Sequence, residues 1–286
     1  KNFRFRGVSI DSKQVKKDNL FIAIKGKNYD GHTFAKEALK NMATYCIVEK
    51  KIKNINNNKL IKCSNTINFL NKLAIKKREY SNAKIIAVTG SSGKTTLKAL
   101  LGNLLTQYGE TYSSKKSYNN HFGVPLSLCN LENDHEYGVF EIGMSRLGEI
   151  KKLSNLVKPD IGVITNIGEA HIENFENLDG IAKAKSEIIQ NIKYNGFLIL
   201  NKDDKYFNYF SKIAKKKKIK VLSFGIAKKS DARLIRNKIY KNYNLIHLKI
   251  LNENISLRIK NVTSLNILNM LSSLLILSVL NLDLLK

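Results

Sequence analysis

From residue 84 onward the apolar positions fall into two alternating rhythms. Short, nearly unbroken β-branched runs occur at 84–89 (KIIAVT), 137–142 (YGVFEI), 161–165 (IGVIT), 197–200 (FLIL) and 220–224 (KVLSF). Such runs suit strands of a parallel sheet covered on both faces, because neither face meets water. Between them, stretches such as 95–107 and 178–192 repeat apolar residues at helical spacing. The alternation predicts an α/β fold with a doubly wound, mostly parallel sheet. Over 234–260 the pattern tightens into short β-type stretches at 245–250 and 255–259, which predicts an antiparallel addition to the sheet edge before a last helix. The run 265–285 is long and apolar, but Asn266, Asn269, Ser272, Ser273, Ser278, Asn281 and Asp283 interrupt it. It reads as a buried helix rather than a membrane span.

Residues 1–83 are patterned differently. Two strand candidates, 19–24 and 44–49, flank a glycine-punctuated loop and a helix expected over 33–41. This predicts a small separate α/β domain over 1–83, followed by a larger one over 84–286. No internal repeat is visible.

Composition changes this picture little. With 286 residues, 43% hydrophobic, the chain is neither a disordered segment nor a disulfide miniprotein, and its length suits two domains. The formal charge of +26 would ordinarily point to nucleic acid or an anionic membrane. The lysines, however, are scattered among equally abundant Asn and Ile, as at 54–58 and 237–244. The densest run, 215–218, follows an amphipathic stretch and reads as a solvated helix end. No nucleic-acid partner and no membrane insertion are therefore expected. Cys46, Cys63 and Cys129 are odd in number and at no metal spacing, as for reduced structural thiols in a cytoplasmic protein. No signal peptide opens the chain, which begins at Lys1 without Met, as a fragment would.

The strongest local chemistry is Thr89-Gly90-Ser91-Ser92-Gly93-Lys94-Thr95-Thr96, directly after a strand pattern and before a helical one. Glycines let backbone amides turn toward a phosphate and the helix N-terminus adds partial positive charge. Lys94 can reach the β- and γ-phosphates, and the Thr95 hydroxyl can hold Mg²⁺. Val88 makes this the shorter G-x-x-G-K-T form. A phosphate loop on a parallel sheet needs an acid at the carboxyl end of a neighbouring strand, and Glu141 fits. His171, after the 161–165 strand, and Lys183 and Lys185, on the helix that follows, form a third feature. On their own, a histidine there reads first as structural and the lysines as a solvated face.

Together these pieces closely resemble the Mur ligase family. Further segments carry the match: Gly7-Val-Ser-Ile-Asp11-Ser12-Lys13, Leu20 to Gly26 with Tyr29-Asp30-Gly31-His32, Tyr118-Asn119-Asn120-His-Phe-Gly-Val-Pro125-Leu, Glu141-Ile-Gly-Met144, Gly148-Glu149-Ile150 and Lys158-Pro159-Asp160. The resemblance is strongest to the branch that joins D-alanyl-D-alanine to UDP-N-acetylmuramoyl-tripeptide. It implies an ATP-dependent amide ligase that works through an acyl phosphate and releases ADP and phosphate. By the same resemblance, residues 1–83 bind the UDP-linked substrate and 84–286 bind ATP at Gly90, Ser91, Ser92, Gly93, Lys94, Thr95 and Thr96. Asn269 would lie near the adenine, although Leu265 stands where the family usually has His.

Lys94, His171 and Lys185 would be catalytic. Thr95 and Glu141 would hold one Mg²⁺, and His171 with a carbamylated Lys185 a second; Lys183 is the competing choice, and the family pattern favours Lys185. Asp11, Ser12 and Lys13 match a uridine-nucleotide motif whose last position is commonly Arg, and Asn119 and Asn120 would face the muramoyl peptide. Ser145-Arg146-Leu147 departs from the family pattern and receives no role. The resemblance also implies a cytoplasmic monomer. Family members carry a third, C-terminal domain, whereas this chain stops at Lys286, so little ligase activity is expected of these residues alone. Two other readings remain: a related Mur or folylpolyglutamate-type ligase adding a different amino acid, and a nucleic-acid-binding P-loop protein. The latter needs aromatic residues interleaved with a basic stripe, a pattern not found.

Overall fold

The computed structural model describes residues 4–26, 28–260 and 262–284. In chain order the elements are β1 (Gly7–Ser9), β2 (Asn19–Ile22), α1 (Ala35–Lys40), β3 (Tyr45–Val48), β4 (Leu60–Lys62), α2 (Thr66–Tyr80), β5 (Lys84–Thr89), α3 (Lys94–Leu105), β6 (Thr111–Ser113), α4 (Gly123–Cys129), β7 (Tyr137–Glu141), α5 (Glu149–Val157), β8 (Ile161–Ile164), α6 (Leu178–Ser186), β9 (Phe197–Asn201), α7 (Phe207–Lys216), β10 (Lys220–Gly225), β11 (Ala232–Ile239), β12 (Asn244–Ile250), β13 (Glu253–Ile259) and α8 (Ser264–Val279). They form two compact units. One contains the chain up to Ser81 together with Phe122–Asn133; the other contains Asn82–His121 and the chain from Asp134 onward.

In the first unit, β1-β2-β3-β4 make a four-stranded sheet, parallel throughout. Only β2 and β3 are legible as strands in the sequence; β1 and β4 have three residues each, too few to show a periodicity. Phe21, Ala23, Ala35, Ala38, Cys46 and Val48 form its core. The helix α4, which a cut after residue 83 would assign to the larger part of the chain, packs here against α2. Pro125 sits in its first turn, where the missing N–H costs no helix bond. Just beyond, Asn130 completes the edge of the sheet: its Oδ1 accepts from Val8 N (2.9 Å), and its Nδ2 donates to Val8 O (3.0 Å) and Leu126 O (2.8 Å). A side-chain amide thus replaces the missing neighbour strand. Cys46, Cys63 and Cys129 are free, and burial pushes the Cys46 thiol up to about 12, which makes it unreactive.

In the second unit the sheet has nine strands in the order β13-β12-β11-β10-β9-β8-β5-β7-β6. The strands from β6 to β11 pair in parallel, and β11-β12-β13 pair antiparallel, so the mixed architecture matches the one expected. The core joins Ile86, Val88, Val139, Val163 and Ile199 of the sheet to Leu97 and Leu101 of α3. The helix α8 lies along α3 and over β10 to β12, burying Ile267, Leu271, Leu275 and Ile276. Among the described residues no helix is long and apolar enough to cross a membrane.

This topology decides where a ligand can bind. After β5 the chain runs to one side of the sheet, to β6 and then β7, and after β7 it crosses to β8 on the other side of β5. The carboxyl ends of β5, β7 and β8 therefore flank a point where the winding reverses, and a crevice opens there in such sheets. The register is Val88 opposite Glu141 and Thr89 opposite Ile164.

Candidate active site

The strand β5 is buried to its last residue, Thr89. The backbone then turns sharply: Gly90 has φ +147° and Gly93 φ +80°, and α3 starts at Lys94. A Cβ at Gly90 would overlap the Thr165 hydroxyl, so both backbone conformation and space demand glycine. Residues following β8 brace the turn. Thr165 Oγ1 donates to Ser92 O (2.6 Å), Asn166 Oδ1 accepts from Ser92 N (2.9 Å), Asn166 Nδ2 donates to Ser92 Oγ (2.8 Å), and Asn166 O accepts from Ser91 N (2.9 Å). Ser91 Oγ donates to Gly168 O (2.9 Å). The loop is thus braced by a remote segment of its own chain, with the amides of the first turn of α3 lacking intrahelical acceptors. Sequence reasoning missed Thr165 and Asn166 as part of this loop, since they lie more than seventy residues away and no local pattern connects them.

Two lysines converge on one carbonyl. Lys94 Nζ donates to Gly90 O (2.8 Å) and Ser91 O (3.3 Å), while Lys185 Nζ, from α6, donates to the same Gly90 O (3.1 Å). Lys185 is 2% exposed; burial, and next the charge of Lys94, draw it down to about 7. Burial also draws Lys94 below the usual lysine range, with Glu141 acting against it. Of the two lysines open from sequence, Lys185 lines the cavity and Lys183 is exposed.

Glu141 ends β7 and is 1% exposed. Thr95 Oγ1 donates to its Oε2 (2.9 Å) and Asn119 Nδ2 to its Oε1 (2.7 Å). Lys98 Nζ stands 3.6 Å from Oε2, a partner that helical periodicity alone does not separate from a solvated lysine. The Asn119 carbonyl accepts from Gly143 N (2.8 Å), which ties the 115–121 loop to the end of β7. A hydroxyl and a carboxylate at this spacing form a hard oxygen donor pair that fits Mg²⁺, an ion commonly held by one or two protein oxygens with phosphate supplying others. Among the described residues no group of three or more His, Cys, Asp or Glu could hold a metal. An unmodified Lys185 amine adds no oxygen ligand.

A cavity of about 620 Å³ has Gly90, Lys94, Asn119, Asn120, His171 and Lys185 in its wall. His171 sits on a turn with φ +66° and its side chain is 46% exposed. Asn269, on α8, is buried against Gly93, and its Nδ2 has no hydrogen-bond partner. Thr96 is exposed on α3. Three of the expected site residues lie in the first unit: Asp11 caps a turn by accepting from Lys13 N (3.0 Å), Ser12 Oγ donates to Glu37 (2.5 Å), and Lys13 is exposed.

The model of the Mur ligase middle domain matches residues 88–277, and that of the Mur ligase family catalytic domain matches residues 4–88. The UDP-N-acetylmuramoyl-tripeptide--D-alanyl-D-alanine ligase of Rickettsia prowazekii is 41% identical over 229 residues, 80% of this chain and 51% of that protein. The crystal structure of MurF from Acinetobacter baumannii superposes with TM-score 0.85 at 30% identity, over 97% of this chain and 60% of that one. MurF ligase from Thermotoga maritima, solved in complex with ADP, gives TM-score 0.84 at 30% identity, over 99% and 65%. The chain spans about half the length of the curated relatives it matches. With both family models matched end to end and this fold around a braced phosphate loop, the chain belongs to the Mur ligase family.

Proposed function

We propose that the protein is an ATP-dependent amide ligase of peptidoglycan precursor assembly, joining D-alanyl-D-alanine to UDP-N-acetylmuramoyl-tripeptide. The observation that carries this reading is a cavity walled by Gly90 and Lys94 of the phosphate loop and by the buried Lys185, with the hydroxyl–carboxylate pair of Thr95 and Glu141 bonded to Asn119 of the same wall. The names of the relatives support the choice of substrates.

The chemistry follows from the weakness of a carboxylate as an electrophile. A peptide carboxylate oxygen attacks the γ-phosphorus of ATP, the bond to the bridging oxygen breaks, and ADP leaves. The amine of D-alanyl-D-alanine then attacks the acyl carbon, loses a proton, and expels phosphate. In this scheme the first turn of α3 and Lys94 hold the β- and γ-phosphates, Lys94 exchanging the Gly90 and Ser91 carbonyls for phosphate oxygens. Thr95 and Glu141 would hold Mg²⁺, whose chemistry is to neutralise charge on the transferring phosphoryl group. Asn269, beside Gly93 with an unsatisfied amide, is suited to a nucleotide base. Asp11, Ser12 and Lys13 would serve the uridine diphosphate, and Asn119 and Asn120 the peptide.

Lys185 would carry a carbamate and, with His171, hold a second Mg²⁺. Carbamylation needs a neutral amine: the Nζ lone pair attacks the carbon of CO₂, an N–C bond forms, one C=O π pair moves to oxygen, and the nitrogen gives up a proton. A buried ammonium beside Lys94 is penalised, whereas a carbamate there becomes an attractive neighbour. The sign of the pH dependence follows. The penalty falls on the protonated form, so it is fully present below pH about 7 and disappears as pH rises from there toward the ordinary lysine value of 10.5. In the absence of CO₂, the Lys185 amine, followed by the NMR shift of its Cε or Nζ, is expected to titrate with a midpoint near pH 7. A midpoint near the ordinary lysine value would remove Lys185 from this role.

The buried free thiols Cys46 and Cys129 suit a reducing compartment, so we place the enzyme in the cytoplasm, as a monomer. The function is tested with the complete product of the gene, ATP, Mg²⁺ and UDP-N-acetylmuramoyl-tripeptide, supplied in turn with D-alanyl-D-alanine, meso-diaminopimelate or glutamate. Phosphate release is expected with the dipeptide alone; release driven by either of the others would overturn the substrate assignment.

A further inference from the structure

Lys98 lies four residues beyond Lys94 on α3, yet it is 4% exposed and outside the lining of the cavity. Its ammonium has two partners, both protein oxygens. It stands 3.6 Å from Glu141 Oε2 and donates to the carbonyl of Lys116, in the loop that follows β6. The backbone at Lys116 is left-handed, φ +47°, so the carbonyl that Lys98 holds belongs to a sharply turned segment. Three residues on, the same segment supplies Asn119 to the other oxygen of Glu141. Thr95 and Asn119 are neutral donors; the positive charge among these three comes from Lys98. Charges interact far more strongly in a buried site than in water, so this ion pair decides what an approaching cation meets.

We infer that Lys98 is a resident counter-cation for Glu141, which offsets the carboxylate's charge and makes divalent-cation binding conditional on the phosphates of the nucleotide. Lys98 has this role only if the site is one for a magnesium nucleotide, as proposed above. A lone Mg²⁺ approaching Thr95 and Glu141 meets a carboxylate already paired with Lys98, at the same oxygen that Thr95 touches, with the Lys94 charge nearby. Once the nucleotide supplies its own negative charge, the same position becomes attractive. Lys98 touches neither nucleotide nor peptide in this arrangement and is a positioning residue.

The test is titration calorimetry with Mg²⁺ alone, and with ADP in the absence and presence of Mg²⁺, on the wild-type chain and on K98M, K98Q and K98R. Removing the charge is expected to tighten binding of Mg²⁺ alone by tenfold or more in K98M and K98Q, and to shrink the gain in ADP affinity that Mg²⁺ produces by a similar factor. K98R should behave as wild type. A residue with a packing role alone would weaken binding on replacement rather than create a metal site. If K98M does not fold, K98Q decides, since its amide can still donate to the Lys116 carbonyl. Equal affinity for Mg²⁺ alone in wild type and K98Q would overturn the inference, as would K98R behaving like K98Q. A wild-type chain that binds no ADP with or without Mg²⁺ would instead overturn the reading of the site itself.

Discussion

Replacing Lys94 with Met is expected to weaken binding of ADP with Mg²⁺ by about a hundredfold, because one to two charge-assisted bonds to phosphate, together worth about 3 kcal/mol, are lost. Met keeps most of the stem length and removes the ammonium that now rests on the Gly90 and Ser91 carbonyls. Titration calorimetry measures the effect directly; a variant that binds ADP as the wild type does would remove Lys94 from the phosphate site. The same substitution has a second, smaller consequence. The charge of Lys94 is the lesser of the two causes that hold Lys185 low, so without it the Lys185 amine titrates at higher pH. Burial, the larger cause, persists, and the midpoint of the amine should move upward without reaching the ordinary lysine range.

The second large effect is expected at Gly90. A left-handed φ of +147° is strained for any residue with a Cβ, and at this position the Cβ would enter the space of the Thr165 hydroxyl, itself pinned by its 2.6 Å bond to Ser92 O. Backbone strain of about 1–3 kcal/mol and overpacking of about 1–3 kcal/mol act together, so Gly90→Ala should destabilise the chain by about 2–6 kcal/mol in urea unfolding. Gly148 provides the internal control. Its φ is +88°, but a Cβ there meets nothing within 4 Å, so Gly148→Ala should cost only the strain, about 1 kcal/mol. Equal losses for the two variants would show that Thr165 does not confine the loop.

The strands that positioned the site were legible because each is buried on both faces. The runs at 84–89, 137–142 and 161–165 are apolar at almost every position, and the structure has strands at Lys84–Thr89, Tyr137–Glu141 and Ile161–Ile164. The elements that were missed lack such a signal. β1, β4 and β6 have three residues each, too short for a period to be counted. The helix α4 was not read from the sequence at all; nothing local says which sheet it covers, and it joins the first unit although its neighbours in sequence belong to the second.

The site shows the same division. The segment from Gly90 to Thr96 is contiguous, so its chemistry could be read from residue types and order. Glu141 could be read as the acid at the end of a strand. The bracing of the loop by Thr165 and Asn166 could not, since it joins segments that only the pairing of β5 with β8 brings together. Nor could Lys98 be told from a solvated lysine, because a helical pattern assigns a residue to a face but does not report the solvent left there.

By itself, the sequence determined an alternating α/β architecture, a phosphate loop between a strand and a helix, and the residues from which a nucleotide site could be built. These depend on near neighbours along the chain: apolar periodicity, glycine conformations and the order of residues in a turn. The tertiary structure alone decided that Lys94 and Lys185 share one carbonyl, that Lys98 backs Glu141, and that Lys183 faces solvent. The reason is that the energy of a charge depends on how far it is from water and from other charges, and both distances are set by segments remote in sequence.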